Sequence, residues 1–338
     1  MSASGTGQTP TLAEHLRAAA GGSAPLASGL VAVLEALAGA GIQLAREVAT
    51  APLTGALGET GDVNEHGDRV RRLDVLTNDL LLGALEATGV VSVAASEELS
   101  TPVVWAPRAG GASLAVCIDP LDGSLNTDVA GVLGTIFGIR EGPGPREPEP
   151  ARALLSAGTR QIAAGYVLYG PATVFVYAAA GRAHVFVLDP AESCFRLTRA
   201  DARMPAAGRT YAVNDANWSR WSPAVQGVIE RLRQARQGKT SYSLRYSGAL
   251  VADFHRTLVE GGIYLYPEDT RRPDGRIRLL YEAAPLALVA EAAGGRASAG
   301  RARILDVSAT DYHQRTPLFI GSAEEIGWVE QAYREGAG

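Results

Sequence analysis

The stretch VCIDPLDGSLNTDVAGVLGTIFGIR, Val116–Arg140, decides how the rest of the chain is read. Val116–Ile118 reads as the end of a buried strand. It delivers two carboxylates, Asp119 and Asp122, into a turn stiffened by Pro120. Gly123 and Ser124 follow at once with bare amides and a hydroxyl. A phosphate needs such donors and a hard cation needs such oxygens, so one short segment supplies both kinds of partner.

Further acids stand at the ends of other apolar segments: Asp68 with Asp74, Glu97 with Glu98, and Glu282 in LLYEAAP. Carboxylates so placed emerge at an edge of the core, where several can converge on Mg2+ or Mn2+. Two such ions would polarise a phosphoryl oxygen, activate a water and stabilise the leaving oxygen. Each pair taken alone fits a solvated surface patch or a helix cap at least as well, because most acidic residues are simply exposed.

At 338 residues the chain has room for one large or two medium domains. A hydrophobic share of 46% with 20% charged residues is that of a globular enzyme, not of a disordered chain. The net charge of −5 argues against general nucleic-acid binding, which needs a basic face. Lys239 is the only lysine among 31 basic residues, so almost any anion must be met by arginine. Cys117 and Cys194 each lie in an apolar segment and read as buried, reduced thiols. The N-terminal MSASGTGQTPTLAEHLRAAAGG has no apolar signal core behind a basic start, and no run of about 18 uncharged apolar residues suggests a membrane span. The expectation is a cytoplasmic protein with neither nucleic-acid nor membrane partners.

Residues 11–50 read as helical, from the three- and four-residue spacing of Leu30, Leu34, Leu37, Ile42 and Leu44. Gly55–Val70 is a polar, glycine-punctuated loop, RRLDVLTNDLLLGALEATG resumes helical periodicity, and VVSVAASEE and SLAVCIDP read as strands. EGPGPREPEP is a surface loop. Ala163–Pro190 is β-branched and aromatic, broken by Gly-Pro and Gly-Arg, and predicts an antiparallel meander. Beyond a boundary near Thr198–Arg209 the segments TYAVN, SPAVQGVIERLRQAR, ALVADFHRTLVEGG, IYLYP and APLALVAEAAGG alternate strand and helix, an α/β pattern. Other motifs fail: Gln237–Thr240, QGKT, has Arg233 where a P-loop needs glycine, and His15, His66, His184, His255 and His313 are scattered. His255 and His313 read as structural hydrogen-bonding residues, not zinc ligands.

Together the segments LDVLTND, SEE, DPLDGS, GTIFGI, AAGYVLYGPAT, VADFHRTLVEGGIYLYP, RLLYEAAPLALVAEAAGG and HQRTPLFIGS, spread from about Leu26 to Glu325, resemble the class I fructose-1,6-bisphosphatases. DPLDGS followed ten residues later by GTIFGI is specific to that family. A bare Asp-Pro-Leu-Asp-Gly is shared with the wider lithium-sensitive phosphatases. The resemblance implies a layered αβαβα sandwich of the inositol monophosphatase-like sugar phosphatases, mixing α+β and α/β character. It implies two subdomains, residues 1–200 with the metal-binding acids and residues 201–338 with the sugar and 6-phosphate pocket. It implies a phosphoric monoester hydrolase that removes the 1-phosphate of fructose 1,6-bisphosphate with two or three Mg2+ ions, or Mn2+. Carried over, the metal ligands are Glu97, Glu98, Asp119, Asp122, Glu282 and the Leu121 carbonyl. Asp68, Asp74 and Glu98 are the catalytic carboxylates, with Asp68 closing over the site on a loop. Asp122, Gly123 and Ser124 face the 1-phosphate. Asn214, Tyr246 and Tyr266 face the 6-phosphate, with Arg245 contributed by a neighbouring subunit of a homotetramer, and Arg276 stands on the sugar side.

Departures from the family pattern are local. Arg276 replaces a lysine, NDANW places Trp218 where a tyrosine hydroxyl is usual, and Leu125 replaces a serine beside the phosphate turn. AAAGGSAPL, Ala18–Leu26, and Ser113-Leu114 stand where animal members bind AMP, so little AMP inhibition is expected and the bacterial Calvin-cycle type is the nearer resemblance. A sedoheptulose-1,7-bisphosphatase or dual enzyme, and a non-catalytic regulatory paralogue, are the alternatives.

Overall fold

A computed structural model describes residues 9–21, 27–63, 69–106, 113–144, 147–234 and 241–336. Asp68, His66, most of Ala18–Leu26 and the QGKT segment lie outside the described residues.

Strands form where β-branched and aromatic residues run together. Eight of them make the larger sheet: β1 Val91–Ser96, β2 Val103–Val104, β3 Leu114–Asp122, β4 Leu133–Glu141, β5 Gln161–Tyr169, β6 Thr173–Ala179, β7 Arg182–Asp189 and β8 Cys194–Arg199. Their spatial order is β8-β7-β6-β5-β4-β3-β1-β2, and only β1 and β3 pair in parallel. The expected meander is β5 to β7, with β8 prolonging it. Every residue of β3 is buried. Leu114, Val116 and Ile118 point into one core and Ala115 and Cys117 into another, which is why its sequence is continuously apolar.

Helices α1 Leu12–Ala20, α2 Ser28–Thr54 and α3 Arg72–Thr88 cover the first of those faces. The single helical region expected over 11–50 is thus two helices, the first stopping at Gly21. By length and composition α2 could cross a membrane, but half of its apolar window is buried against β5, β6 and α3, as befits a core helix. The second sheet holds β9 Thr210–Ala212, β10 Ser243–Leu244, β11 Ile263–Tyr266, β12 Arg296–Ser298 and β13 Leu318–Gly321, in the order β10-β9-β11-β13-β12. Helices α5 Leu250–Glu260 and α6 Ala284–Ala292 fill the space between the sheets with Leu318 and Ile320 of β13. Helices α4 Pro223–Arg233 and α7 Ala323–Glu335 cover the far face with Leu265 and Phe319. The result is the five-layer αβαβα sandwich.

Cys117 is buried in β3 and Cys194 is half-buried, both as free thiols. Cys194 was expected inside the core; it opens β8, the last strand of the sheet, whose outer side meets only the short segment at Pro10 and Thr11 among the described residues. The two expected structural histidines bond as such: His255 Nδ1 lies 2.7 Å from the Tyr166 hydroxyl and His313 Nε2 2.9 Å from the Leu99 carbonyl.

The glycines of GTIFGI admit the helices of the middle layer. A Cβ on Gly134 would lie 2.5 Å from Val251 Cγ1 and 2.8 Å from the Val167 carbonyl; one on Gly138 would lie 3.1 Å from Pro285 Cγ. The starts of α5 and α6 therefore press directly on β4. Gly134→Ala should lower stability by about 1–3 kcal/mol, the cost of overpacking a dense core. An unchanged thermal unfolding midpoint would show that α5 does not need this close approach.

Candidate active site

The pair Asp119–Asp122 lies inside β3, not in a turn after it as expected. Asp119 pairs with Ile136 and Asp122 with Gly134, so three steps on β3 face two on β4. That is a bulge of one residue. Side chains alternate along a strand, so acids three apart would otherwise point to opposite faces. The bulge turns both toward the middle layer. Pro120 sits within it, its carbonyl accepting from Thr135 Oγ1 at 2.8 Å. The chain turns at Gly123, where φ is +78° and a Cβ would come within 2.6 Å of the Ala249 side chain. Only glycine meets both demands without strain.

The two helices admitted by GTIFGI bring the remaining partners. The first turn of α5 donates the Leu250 and Val251 amides to the Asp122 carboxylate, at 3.2 and 2.7 Å. Glu282 lies in a five-residue π-helical turn, Leu279–Ala283, that runs straight into α6, and its Oε2 accepts the Arg278 amide at 2.6 Å. Such turns concentrate at functional sites. Ligand oxygens of Asp119, Asp122 and Glu282, all buried, lie within 4.8 Å of one another. Glu97, at the end of β1, meets Arg278 Nε at 3.3 Å. Asp74, in the first turn of α3, is buried, accepts the Arg71 amide through Oδ2 at 3.3 Å, and keeps an Oδ1 with no partner among the described residues.

The electrostatic consequence is large. Burial first, then the charges of Glu97 and Asp122, raises the carboxyls of Asp119 and Glu282 well above the ordinary range. Burial raises Asp122 to about 7 against the pull of its two amide donors. Asp74 is pushed to about 6 by burial, with Glu97 adding a smaller push. Glu98 adds to the pressure on Asp119. Glu97 therefore joins Asp74 to the buried trio, and Glu98 stands beside them. Buried hard oxygens that resist ionisation, one of them unpartnered, fit a divalent cation of the Mg2+ or Mn2+ type. Leu121 is buried within the bulge, its amide given to Asp119 Oδ1 at 3.1 Å.

The other expected residues lie around this centre. Ser124 follows Gly123 into a 3-10 turn, Ser124–Val129, half-buried beside the acids. The Tyr246 hydroxyl is raised first of all by burial, then by Tyr266, to which it bonds, and by the charges of Asp253 and Asp122. Asn214 caps the turn Asp215–Arg220. Arg245 is exposed beside the edge strand β10, its side chain bonding only the Leu244 carbonyl among the contacts described. Arg276 is half-buried. Trp218 is under the Arg233 guanidinium, 4.7 Å from its ring centre, and so has a packing role. One residue escaped the sequence reading: Arg278, which is buried, spans Glu97 and the His313 carbonyl and gives its amide to Glu282. Its four-residue spacing from Glu282 was the only signal, in a chain full of arginines.

Comparison with known proteins agrees with this geometry. The profile of the fructose-1-6-bisphosphatase N-terminal domain matches residues 13–200 and that of its C-terminal domain residues 204–334. The class 1 fructose-1,6-bisphosphatase of Nostoc punctiforme is 42% identical over 327 residues, 96% of this chain and 93% of that one. A second such protein, from Acaryochloris marina, is 43% identical over 293 residues, covering 87% and 88%. The crystal structure of Leishmania major fructose-1,6-bisphosphatase in holo form superposes with a TM-score of 0.88 at 33% identity, covering 97% of this chain and 99% of that one. Matches of this extent to both domain profiles and to full-length relatives leave one assignment: the chain belongs to the class 1 fructose-1,6-bisphosphatase family.

Proposed function

We propose that the protein hydrolyses the 1-phosphate of fructose 1,6-bisphosphate, giving fructose 6-phosphate and inorganic phosphate, with Mg2+ as its metal. The observation that carries the reading is the trio Asp119, Asp122 and Glu282, buried within 4.8 Å in a chain of this family. Such a cluster is unfavourable as bare carboxylates and suits a hard divalent ion. Glu97, Glu98 and the Leu121 carbonyl complete the proposed ligand set. Bound divalent ions supply Lewis acidity toward the phosphoryl group and a lowered pKa for water. The protein's own residues supply the rest. Asp74, whose carboxyl is poised near 6 and whose Oδ1 is unpartnered, takes the proton of the attacking water. Glu98 shares in orienting that water, and Asp68 takes part with them. Gly123 and Ser124 donate to the 1-phosphate. Asn214, Tyr246 and Tyr266 with Arg245 receive the 6-phosphate, a guanidinium supplying bidentate bonds and the tyrosines directional ones. Arg276 completes the sugar side.

Arg245 is assigned to a neighbouring copy's site in a homotetramer. Its exposure next to the open edge of β10 supports this. The division into two units near residue 200 is supported by the two profiles, which abut at 200 and 204. A cytoplasmic location fits the free thiols of Cys117 and Cys194. A place in gluconeogenesis or the Calvin cycle fits the cyanobacterial relatives. AMP regulation is assigned no role. Ser113 is tied to Ser92 Oγ at 2.7 Å, and Glu141, across from Leu114, faces Arg160 at 3.9 Å, so the hydroxyl and the base nearby are already engaged within the protein.

Inorganic phosphate release from fructose 1,6-bisphosphate, sedoheptulose 1,7-bisphosphate and inositol phosphates, with and without Mg2+, tests the reading. Metal-dependent release from the fructose substrate is expected, and normal binding without release would favour a non-catalytic paralogue. Asp74→Asn and Glu98→Gln should each cut kcat by about 100-fold or more while the fold survives. Turnover near wild type in both would remove them from the mechanism. Micromolar AMP should leave the rate unchanged, and half-inhibition would contradict the account of Ser113 and Glu141. The raised carboxyls also set a pH dependence. Burial raises Asp74 to about 6 and Asp122 to about 7 in the folded protein, above the ordinary aspartate range, so they favour folding in acid and that contribution is lost as pH rises through 6 and 7. Without metal the thermal midpoint should fall between pH 5.5 and 8, and Mg2+ should raise it more at pH 8 than at pH 6. An equal metal-induced shift at both values would show that these carboxyls do not hold protons in the metal-free site.

A further inference from the structure

The backbone of one residue outside the metal cluster is gripped on both sides of its Cα. The Ser247 amide donates to both oxygens of Asp253, at 3.0 and 3.1 Å, and the Ser247 carbonyl accepts from Asn126 Nδ2 at 3.2 Å. Asp253 is buried in the first turn of α5, the same turn whose Leu250 and Val251 amides hold Asp122. Asn126 lies in the 3-10 turn that follows Gly123; its amide bonds the Gly123 carbonyl at 2.7 Å and its Nδ2 also reaches the Val132 carbonyl at 3.2 Å. The segment 245–249 is tightened further by Ser247 Oγ, which accepts the Ala249 amide at 3.2 Å, and by the close approach of Ala249 to Gly123. It is therefore fastened at once to the turn that carries Gly123 and Ser124 and to the helix on which Asp122 rests.

Asp253 works against anion binding by its charge, since it and Asp122 both press on the Tyr246 hydroxyl. A carboxylate in that place needs another reason to be there, and its oxygens accept from the Ser247 amide, with the Ser247 hydroxyl and the Gly248 amide bonding it too. We propose that Asn126 and Asp253 are positioning residues that fix the separation between the pocket at Gly123–Ser124 and the pocket at Tyr246 and Tyr266 of the same chain, so that the site measures the distance between the two phosphates of its substrate. This rests on the sugar-bisphosphate reading above. A sugar with only the 1-phosphate engages one pocket and is blind to the separation. A bisphosphate is productive only when both pockets are spaced to fit it, and misplacement of about 1 Å is costly.

The test is kcat/KM with Mg2+ for fructose 1,6-bisphosphate and for fructose 1-phosphate, in the full-length protein and in Asn126→Ala and Asp253→Asn. The ratio of the two values should fall about tenfold or more in each variant, chiefly through KM for the bisphosphate. Equal losses on both substrates, or no loss on either, would overturn the ruler and leave the hydrolase reading standing. No phosphate release by the unmodified protein from either substrate would overturn both. Should Asn126→Ala fail to fold, Asp253→Asn decides, because it keeps the side chain's shape and removes one of the two oxygens that grip Ser247.

Discussion

Packing Asp119, Asp122 and Glu282 into a dry space within 4.8 Å is the constraint on which the rest of the structure depends. Desolvation and mutual repulsion both oppose it. The fold answers with backbone donors in place of side-chain cations: two α5 amides for Asp122, the Arg278 amide for Glu282 and the Leu121 amide for Asp119. Amide donors hold a carboxylate in place without neutralising it. The cluster keeps its appetite for a divalent ion, as a set of arginine pairs would not. Arg278 pairs with Glu97 at the edge of the cluster, 3.3 Å away.

Those amides can reach the acids only because the sheet lets helices come close. Gly134 and Gly138 remove the side chains that would hold α5 and α6 away from β4, and the bulge in β3 swings Asp119 and Asp122 to the helix side. The same first turn of α5 holds Asp253 and, through it, the Ser247 loop. One helix start thus organises the proposed metal centre and the proposed distal phosphate pocket together. The five layers serve that geometry: the site lies where the first sheet, the middle helices and the second sheet meet.

Much of this was legible in the chain. DPLDGS, SEE, LLYE and GTIFGI named the acids and the family, and the strand and helix alternation named the layers. What was hidden has physical causes. The bulge cannot be read from composition, because a strand buried on both faces shows no alternation to break. The π-helical turn at Leu279–Ala283 looks like the start of any apolar helix, since propensity does not distinguish a widened turn. Cys194 reads as core by its neighbours Phe195 and Leu197 and is half-exposed because β8 ends the sheet. Asn126 reaches Ser247 across 121 positions of sequence, and no local pattern announces that contact.

Burial and mutual repulsion raise the carboxyls of Asp119, Asp122 and Glu282, so a divalent ion that binds them competes with protons. Calorimetric titration of Mg2+ into the metal-free protein at pH 7, in two buffers of different ionisation enthalpy, reads that directly. Binding with net proton release, seen as a buffer-dependent heat, is expected. Binding with a buffer-independent heat, or no binding, would contradict it.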